Sequence, residues 1–252
     1  MKSDLALRIK ESWNKRDQKD PFYYIETENW DGDIDRFFVL GEQRAKILID
    51  PMLSQLAINA ADKTALDLGC GVGRFSRPLS DRFASEIGVD VSDEMIRRAK
   101  EVNRTWPKPI EFRVGDGLVL PVDKGAVDFA FSYEVFQHFP SVQSVLDGFK
   151  EIRRVLHSNG YGLIHWKTSD LSRPLWRNLG TRIPQPLTGW LAQLAGKDPL
   201  MIDPAFRGTA VSEEAIPGIC SEAGLSIVGV LGDTTHAPGT RAFVSVQPSN
   251  GN

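Results

Sequence analysis

Cysteine is scarce in this chain. Its 252 residues hold 2, Cys70 and Cys220. They stand far apart in different sequence contexts, which excludes a disulfide framework and points to a reducing, cytoplasmic setting. Histidine is nearly as rare, with 4. No spacing among the histidines and cysteines suits a metal-ligand set, so no metal is expected. A surplus of charge is missing too. Lys and Arg number 30 against 33 Asp and Glu, a net charge of −3. Nothing in that balance suggests a nucleic-acid or anionic-membrane partner. No apolar run approaches the ~20 residues of a membrane span. Met1 to Lys19 is polar and has no apolar core of signal-peptide length. Internal repeats and low-complexity tracts are absent.

What remains is ordinary globular protein, 41% hydrophobic. The length suits one α/β domain with a sizeable core, or one domain plus a small cap. From about Ala65, short apolar runs alternate with helical patterns, as in a parallel sheet with crossover helices. Strands are expected at Ala65–Leu68, Glu86–Val91, Ile110–Val114, Val127–Ser132 and Tyr161–Trp166. Helices are expected at Phe75–Phe83, at Asp93–Val102 behind a Ser92 cap, and at Ser144–Leu156, stopped by Asn159-Gly160. Five prolines and two tryptophans, Trp176 and Trp190, then break the rhythm between Thr168 and Ala210. That stretch is too long for an ordinary connection and reads as an inserted cap or lid. A helix near Ser212–Ala223 and strands at Leu225–Leu231 and Arg241–Gln247 follow. The expected organisation is therefore an N-terminal helical, aromatic segment (1–59), a core (60–167), an insert (168–210) and the rest of the core (211–252).

One junction carries chemistry. Asp67-Leu68-Gly69-Cys70-Gly71-Val72-Gly73 joins the first strand to a helix. Glycines there permit unusual backbone angles and let a ligand approach the main chain. Asp90 ends the next strand, about twenty positions on, where an acid can accept from both hydroxyls of a ribose. The dinucleotide fingerprint is G-x-G-x-x-G, with a pyrophosphate at the helix N-terminus. Here the glycines run G-x-G-x-G, and Asp67 suits a ligand bearing an ammonium and a sulfonium better than a pyrophosphate.

This segment resembles the first motif of the class I S-adenosylmethionine (SAM)-dependent methyltransferases, the small-molecule type. Gly88-Val89-Asp90-Val91-Ser92 resembles that family's second-strand motif. Val114-Gly115-Asp116-Gly117-Leu118 resembles the motif after its third strand. Phe131-Ser132-Tyr133-Glu134-Val135-Phe136-Gln137-His138-Phe139 resembles the one after its fourth. The resemblance covers about Asp62–Thr168 well and Arg207–Gln247 more weakly. It implies a Rossmann-like, seven-stranded, mostly parallel sheet with its last strand antiparallel and helices on both faces. It implies SAM as cofactor, with Asp67, Gly69, Cys70 and Gly71 at its amino-acid part. Asp90 and Val91 would lie at its ribose, Met95, Asp116 and Gly117 at its adenine, and Ser132 at the mouth of the methyl site. Asp67 has another reading, as a cap on the loop's own amides. Cys70 reads as a small loop residue rather than a nucleophile.

Methyl transfer needs in-line orientation, a dry site and a base for a hydroxyl or amine acceptor. Base candidates lie beyond the carboxyl ends of the central strands: His138, Glu134, Tyr133 and His165. His138 has a competing role as a structural cap on the helix that follows. Trp13, Tyr23, Tyr24, Trp30, Trp176 and Trp190 either line the acceptor pocket or pack helices on the core. His157 reads as a favourable charge at a helix end, and His236 as a loop residue within reach of the site. The expected function is methylation of O, N or C on a small molecule, of the kind met in secondary metabolism. The alternatives are a protein or nucleic-acid acceptor, a non-catalytic SAM-binding protein, and a nicotinamide-dependent dehydrogenase, against which the glycine spacing and Asp116 argue. No basic stripe and no Asn/Asp-Pro-Pro-Tyr sequence favours nucleic acid; Ser132-Tyr133-Glu134 stands there instead.

Overall fold

The computed structural model describes residues 2–168, 198, 200, 208–232 and 241–249. Most of the insert lies outside the described residues, as do Trp176, Trp190 and His236.

Seven strands form one sheet in the order β3-β2-β1-β4-β5-β7-β6. They are β1 (Thr64–Leu68), β2 (Ser85–Asp90), β3 (Glu111–Val114), β4 (Val127–Ser132), β5 (Leu156–Lys167), β6 (Leu225–Gly232) and β7 (Arg241–Pro248). The first five run parallel, and β7 pairs antiparallel with both β5 and β6. This is the expected sheet. Its order reverses between β1 and β4, and ligands of open α/β sheets bind at such a switch point, beyond the strand carboxyl ends.

Local chemistry explains the helices. Four precede the sheet: α1 (Lys2–Lys19), α2 (Pro21–Ile25), α3 (Ile34–Leu48) and α4 (Asp50–Gln55). Asp20 caps α2 by accepting from Tyr23 N, with Pro21 in the first turn. Within the sheet region follow α5 (Ser76–Arg82), α6 (Asp93–Val102), α7 (Val142–Val155) and α8 (Ile216–Glu222). Ser92 Oγ accepts from Met95 N at 3.1 Å, the cap that its sequence promised.

The helices cover both sheet faces. On one, Leu66, Ala130 and Ile164 pack against Val145, Phe149 and Ile152 of α7 and Ile219 of α8. On the other, Ala65, Phe129 and Phe131 meet Leu79 of α5 and Ala45 of α3. Phe149, Phe129 and Phe131 are fully buried, and burying such a side chain contributes about 1.5–3 kcal/mol.

One boundary needs correction. The helix expected to reach Leu156 ends at Val155, and Asn159-Gly160 lies within β5 rather than stopping the helix. The ladder pairs Val127 with Leu156 and next Phe129 with Tyr161, so the exposed residues His157 to Asn159 bulge out of register. A polar run with Gly reads as a stop signal, but buried Leu156 already belongs to the sheet. His157 stands beyond the helix, where its Nδ1 accepts from Asn159 N at 3.3 Å.

Candidate active site

The turn after β1 is built on positive-φ glycines: Gly69 (+76°), Gly71 (+53°) and Gly73 (+91°). A Cβ at Gly71 would come 2.7 Å from Ile25 Cδ1 of α2, so that side chain would have to shift, and the positive φ itself disfavours any side chain there. The loop is tied to β2. Gly71 N donates to Asp90 Oδ2 at 3.0 Å, and Ser92 N donates to Asp90 Oδ1 at 2.9 Å. Each Asp90 oxygen therefore keeps acceptor capacity for a ligand hydroxyl. Burial raises the Asp90 carboxyl, and the Ser92 and Gly71 amides oppose the shift.

Asp67 lies beneath the same loop, 3% exposed, and accepts from Ser76 Oγ at 2.8 Å. Burial pushes its carboxyl up to about 7, against the pull of Ser76 and Arg74. Burial also pushes the Cys70 thiol well up, which removes it as a thiolate nucleophile at neutral pH.

These groups open on a cavity of about 1150 Å³ above the strand ends. Asp67, Gly69, Cys70, Gly71, Asp90, Val91, Met95, Gly117, Tyr133, Glu134 and His138 line it. Ser132, Asp116 and His165 do not line it. Ser132 Oγ donates to Leu68 O at 3.1 Å. Asp116 is exposed and accepts from Leu118 N and Val119 N at 2.8 and 2.7 Å, so its carboxylate serves its own turn. His165 is fully buried behind Tyr133, with ring centroids 4.7 Å apart, and its Nδ1 accepts from Glu134 N at 3.2 Å. That bond supports Glu134 in a left-handed conformation (φ +61°), rare for a residue with a side chain.

The N-terminal aromatics divide between two roles. Trp13 and Tyr24 line the cavity, and Trp13 meets the His138 ring edge-on at 5.1 Å. Phe22 and Trp30 stack on each other and pack against Phe37. Trp30 Nε1 is satisfied by Asp20 at 2.8 Å.

A charged chain along the wall has no counterpart in the sequence reading. Arg44 grips both oxygens of Glu26, with Nη2–Oε1 at 2.9 Å. Arg74 pairs with Glu26 and reaches Glu134 Oε2 at 3.7 Å. Arg241 pairs with Glu134. Burial would raise the Glu26 carboxyl, but Arg44 and Arg74 outweigh it and hold it at about 2. Desolvation lowers buried Arg74 to about 10, which leaves it charged at neutral pH. Glu134 stands in the motif after β4, but its partners come from positions 26, 44, 74 and 241, so no local motif could have shown the chain of pairs.

Sheet order and glycine loop together define a Rossmann-like core. Residues 66–164 match the family described as Methyltransferase domain. The sterol 24-C-methyltransferase of Schizosaccharomyces pombe is 32% identical over 109 residues, 42% of this chain and 28% of that protein. The chloroplastic tocopherol O-methyltransferase of Arabidopsis thaliana is 32% identical over 101 residues, 39% of this chain and 28% of that one. The matched stretch thus spans about a quarter of the length of these curated relatives. Among solved structures, the magnesium protoporphyrin IX methyltransferase of Synechocystis PCC 6803 with bound S-adenosylhomocysteine (SAH) is similar in fold. It has a TM-score of 0.67 at 16% identity, over 97% of this chain and 100% of that one.

Proposed function

We propose that this protein is a SAM-dependent methyltransferase acting on O, N or C of a small molecule. The observation that carries the reading is the Gly71 amide held on Asp90 at the rim of the switch-point cavity. The residues fit such a cofactor. Gly69 and Gly71 would lie against its amino-acid part, Asp67 would face its ammonium, and Asp90 its ribose. Met95 and Gly117 supply wall for the adenine, and Val91 wall beside the ribose. When bound, SAM supplies an electrophilic methyl on a sulfonium, whose charge disperses as the methyl leaves.

The chain's own residues orient the acceptor and manage its proton. His138 is the best-placed base, because it lines the cavity and its ring is fixed by Trp13. Glu134 is held by two guanidiniums, which favours a positioning role over proton transfer. Tyr133 walls the methyl site, and His165 supports Glu134 from behind. Residues 1–59 act as a cover over the site, a reading supported by Trp13, Tyr24, Ile25 and Glu26 in the cavity wall. Covering the site excludes water and shapes the acceptor pocket.

Among the described residues no helix is long and apolar enough to cross a membrane, and no group of three His, Cys, Asp or Glu is disposed to hold a metal. A cytoplasmic location and a reaction on a metabolite rather than nucleic acid complete the proposal. The test is calorimetry with SAH, followed by a metabolite screen with labelled SAM. Absence of SAH binding by the folded protein would sink the reading.

A further inference from the structure

The charged wall ends in a pair of like charges. Lys167 closes β5 and Arg241 opens β7, and the antiparallel ladder sets them directly opposite each other. Such partners project from the same face of the sheet. It is the face that carries Tyr133: Phe243, two residues along β7, stacks on the Tyr133 ring with centroids 5.8 Å apart. Lys167 and Arg241 both line the cavity, and both are half-buried. Like charges directly opposed across two strands destabilise the pairing. The neighbouring acids are shared. Glu134 pairs with Arg241 and also reaches Arg74 at 3.7 Å. Glu26 is divided between Arg44 and Arg74. Among the described residues of this wall, four cations, Arg44, Arg74, Lys167 and Arg241, stand with three carboxylates, Glu26, Glu28 and Glu134. The surplus is positive, and the cross-strand pair is where two of the cations stand side by side.

We propose that Lys167 and Arg241 form the acid-binding end of the acceptor site, so that the small molecule to be methylated carries an anionic group, a carboxylate or a phosphate, received between them. The inference rests on the methyltransferase reading given above and names its substrate class. There is room for two molecules: the cavity of about 1150 Å³ exceeds the roughly 300–1,000 Å³ of a usual single-ligand pocket. The two cations are complementary in chemistry. Lysine offers a compact charge with three donors, and arginine a planar fork with five. The bond of Arg241 to Glu134 runs from Nη1. An anion between the two side chains turns their repulsion into charge-assisted hydrogen bonds. Tyr133 and Phe75, with ring centroids 5.1 Å apart, line the cavity and suit the body of the acceptor. An acid group anchored at the end of the wall fixes where the reacting atom lies, which is the orientation that an in-line transfer needs. A neutral analogue would leave the cation pair facing itself, so the site discriminates against it.

The test uses probes of one shape and different charge. Protein saturated with SAH is titrated at low ionic strength with benzoate, phenyl phosphate and neutral benzamide, followed by ligand-observed nuclear magnetic resonance. At least one anion should bind about tenfold or more tightly than benzamide, and the tighter of the two tells a carboxylate site from a phosphate site. Added salt should shrink the advantage. Lys167→Gln should weaken the anion by about three- to tenfold and leave benzamide and SAH within about twofold of the parent. Lys167→Arg keeps the charge and should keep most of the advantage. Melting of the ligand-free protein is the structural control: Lys167→Gln should melt no lower than the parent, because it relieves a like-charge pair. The acceptors found in a screen with labelled SAM should be acids. If neither anion binds more tightly than benzamide, if Lys167→Gln leaves the advantage intact, or if neutral compounds are methylated in preference to acids, the proposal is overturned. SAH binding is measured separately. SAH bound without any preference for anions removes this inference alone. A preference for anions in a protein that does not bind SAH removes the cofactor reading and leaves the pair as an anion site.

Discussion

The two halves of the cavity are built in different ways. The glycine-loop half is mostly main chain. Gly69 and Gly71 are locked by their own φ angles, and Asp90 holds the loop from one strand away. The charged part of the wall is side chain. Glu26, Arg44, Arg74, Glu134 and Arg241 form an alternating ion-pair chain assembled from four separate parts of the sequence. A main-chain cradle recognises what every ligand of its class shares. A side-chain wall can be rebuilt one residue at a time, and there the acceptor would be chosen.

The largest expected effect tests the cradle. Gly71→Val places a branched side chain at φ +53° and drives a Cβ to within 2.7 Å of Ile25. We predict loss of SAH binding by at least about a hundredfold, because the loop can no longer hold both its conformation and its approach to the ligand. The sheet should persist, so far-ultraviolet circular dichroism should be unchanged. Normal SAH affinity in calorimetry would show that this turn does not cradle the cofactor.

The next tests the wall. Glu26→Ala strips Arg44 and buried Arg74 of their shared carboxylate. Removing one partner of a buried pair typically costs about 3–5 kcal/mol, since the other charge stays buried. We expect the lower end, about 3 kcal/mol, because Glu134 still lies 3.7 Å from Arg74. Urea unfolding measures it. A change below about 0.5 kcal/mol would mean that the chain of charges is solvated and holds nothing together.

Asp90 comes next in size of effect. Asp90→Ala removes the acceptor proposed for the ribose hydroxyls and should weaken SAH by about 1–3 kcal/mol. Because Asp90 also holds Gly71 N and Ser92 N, Asp90→Asn sharpens the test: one amide oxygen preserves a single loop bond. If both variants bind SAH as the parent does, the ribose lies elsewhere.

The same contrast explains what the sequence disclosed. The cradle was legible because its parts are contiguous: strand, glycines and helix follow one another, and Asp90 arrives at a fixed distance. The sheet was legible for a similar reason, since β4 is a nearly unbroken apolar run. The wall was not legible. Arg241 reads as the first residue of a strand, and Glu26 as one acid in a polar stretch. Only the pairing of β5 with β7, which places Arg241 opposite Lys167 at the cavity rim, gives Arg241 a role.

Asp116 gives the smallest expected effect and the finest test of the comparison. The family resemblance places it on the adenine. In the fold its carboxylate accepts from Leu118 N and Val119 N and is exposed. It therefore acts as part of a main-chain device, holding the turn whose Gly117 and Leu118 line the cavity. Asp116→Asn keeps an acceptor for those amides and should change SAH affinity by less than about 0.5 kcal/mol, whereas Asp116→Ala frees the turn and should cost about 1 kcal/mol. Calorimetry on both variants separates the roles. An acid that turns to the adenine amino group on binding would lose more, because a neutral amide oxygen there replaces a charged acceptor. A loss of tenfold or more in Asp116→Asn would move Asp116 from the loop to the ligand, and would make this side of the cradle depend on a side chain after all.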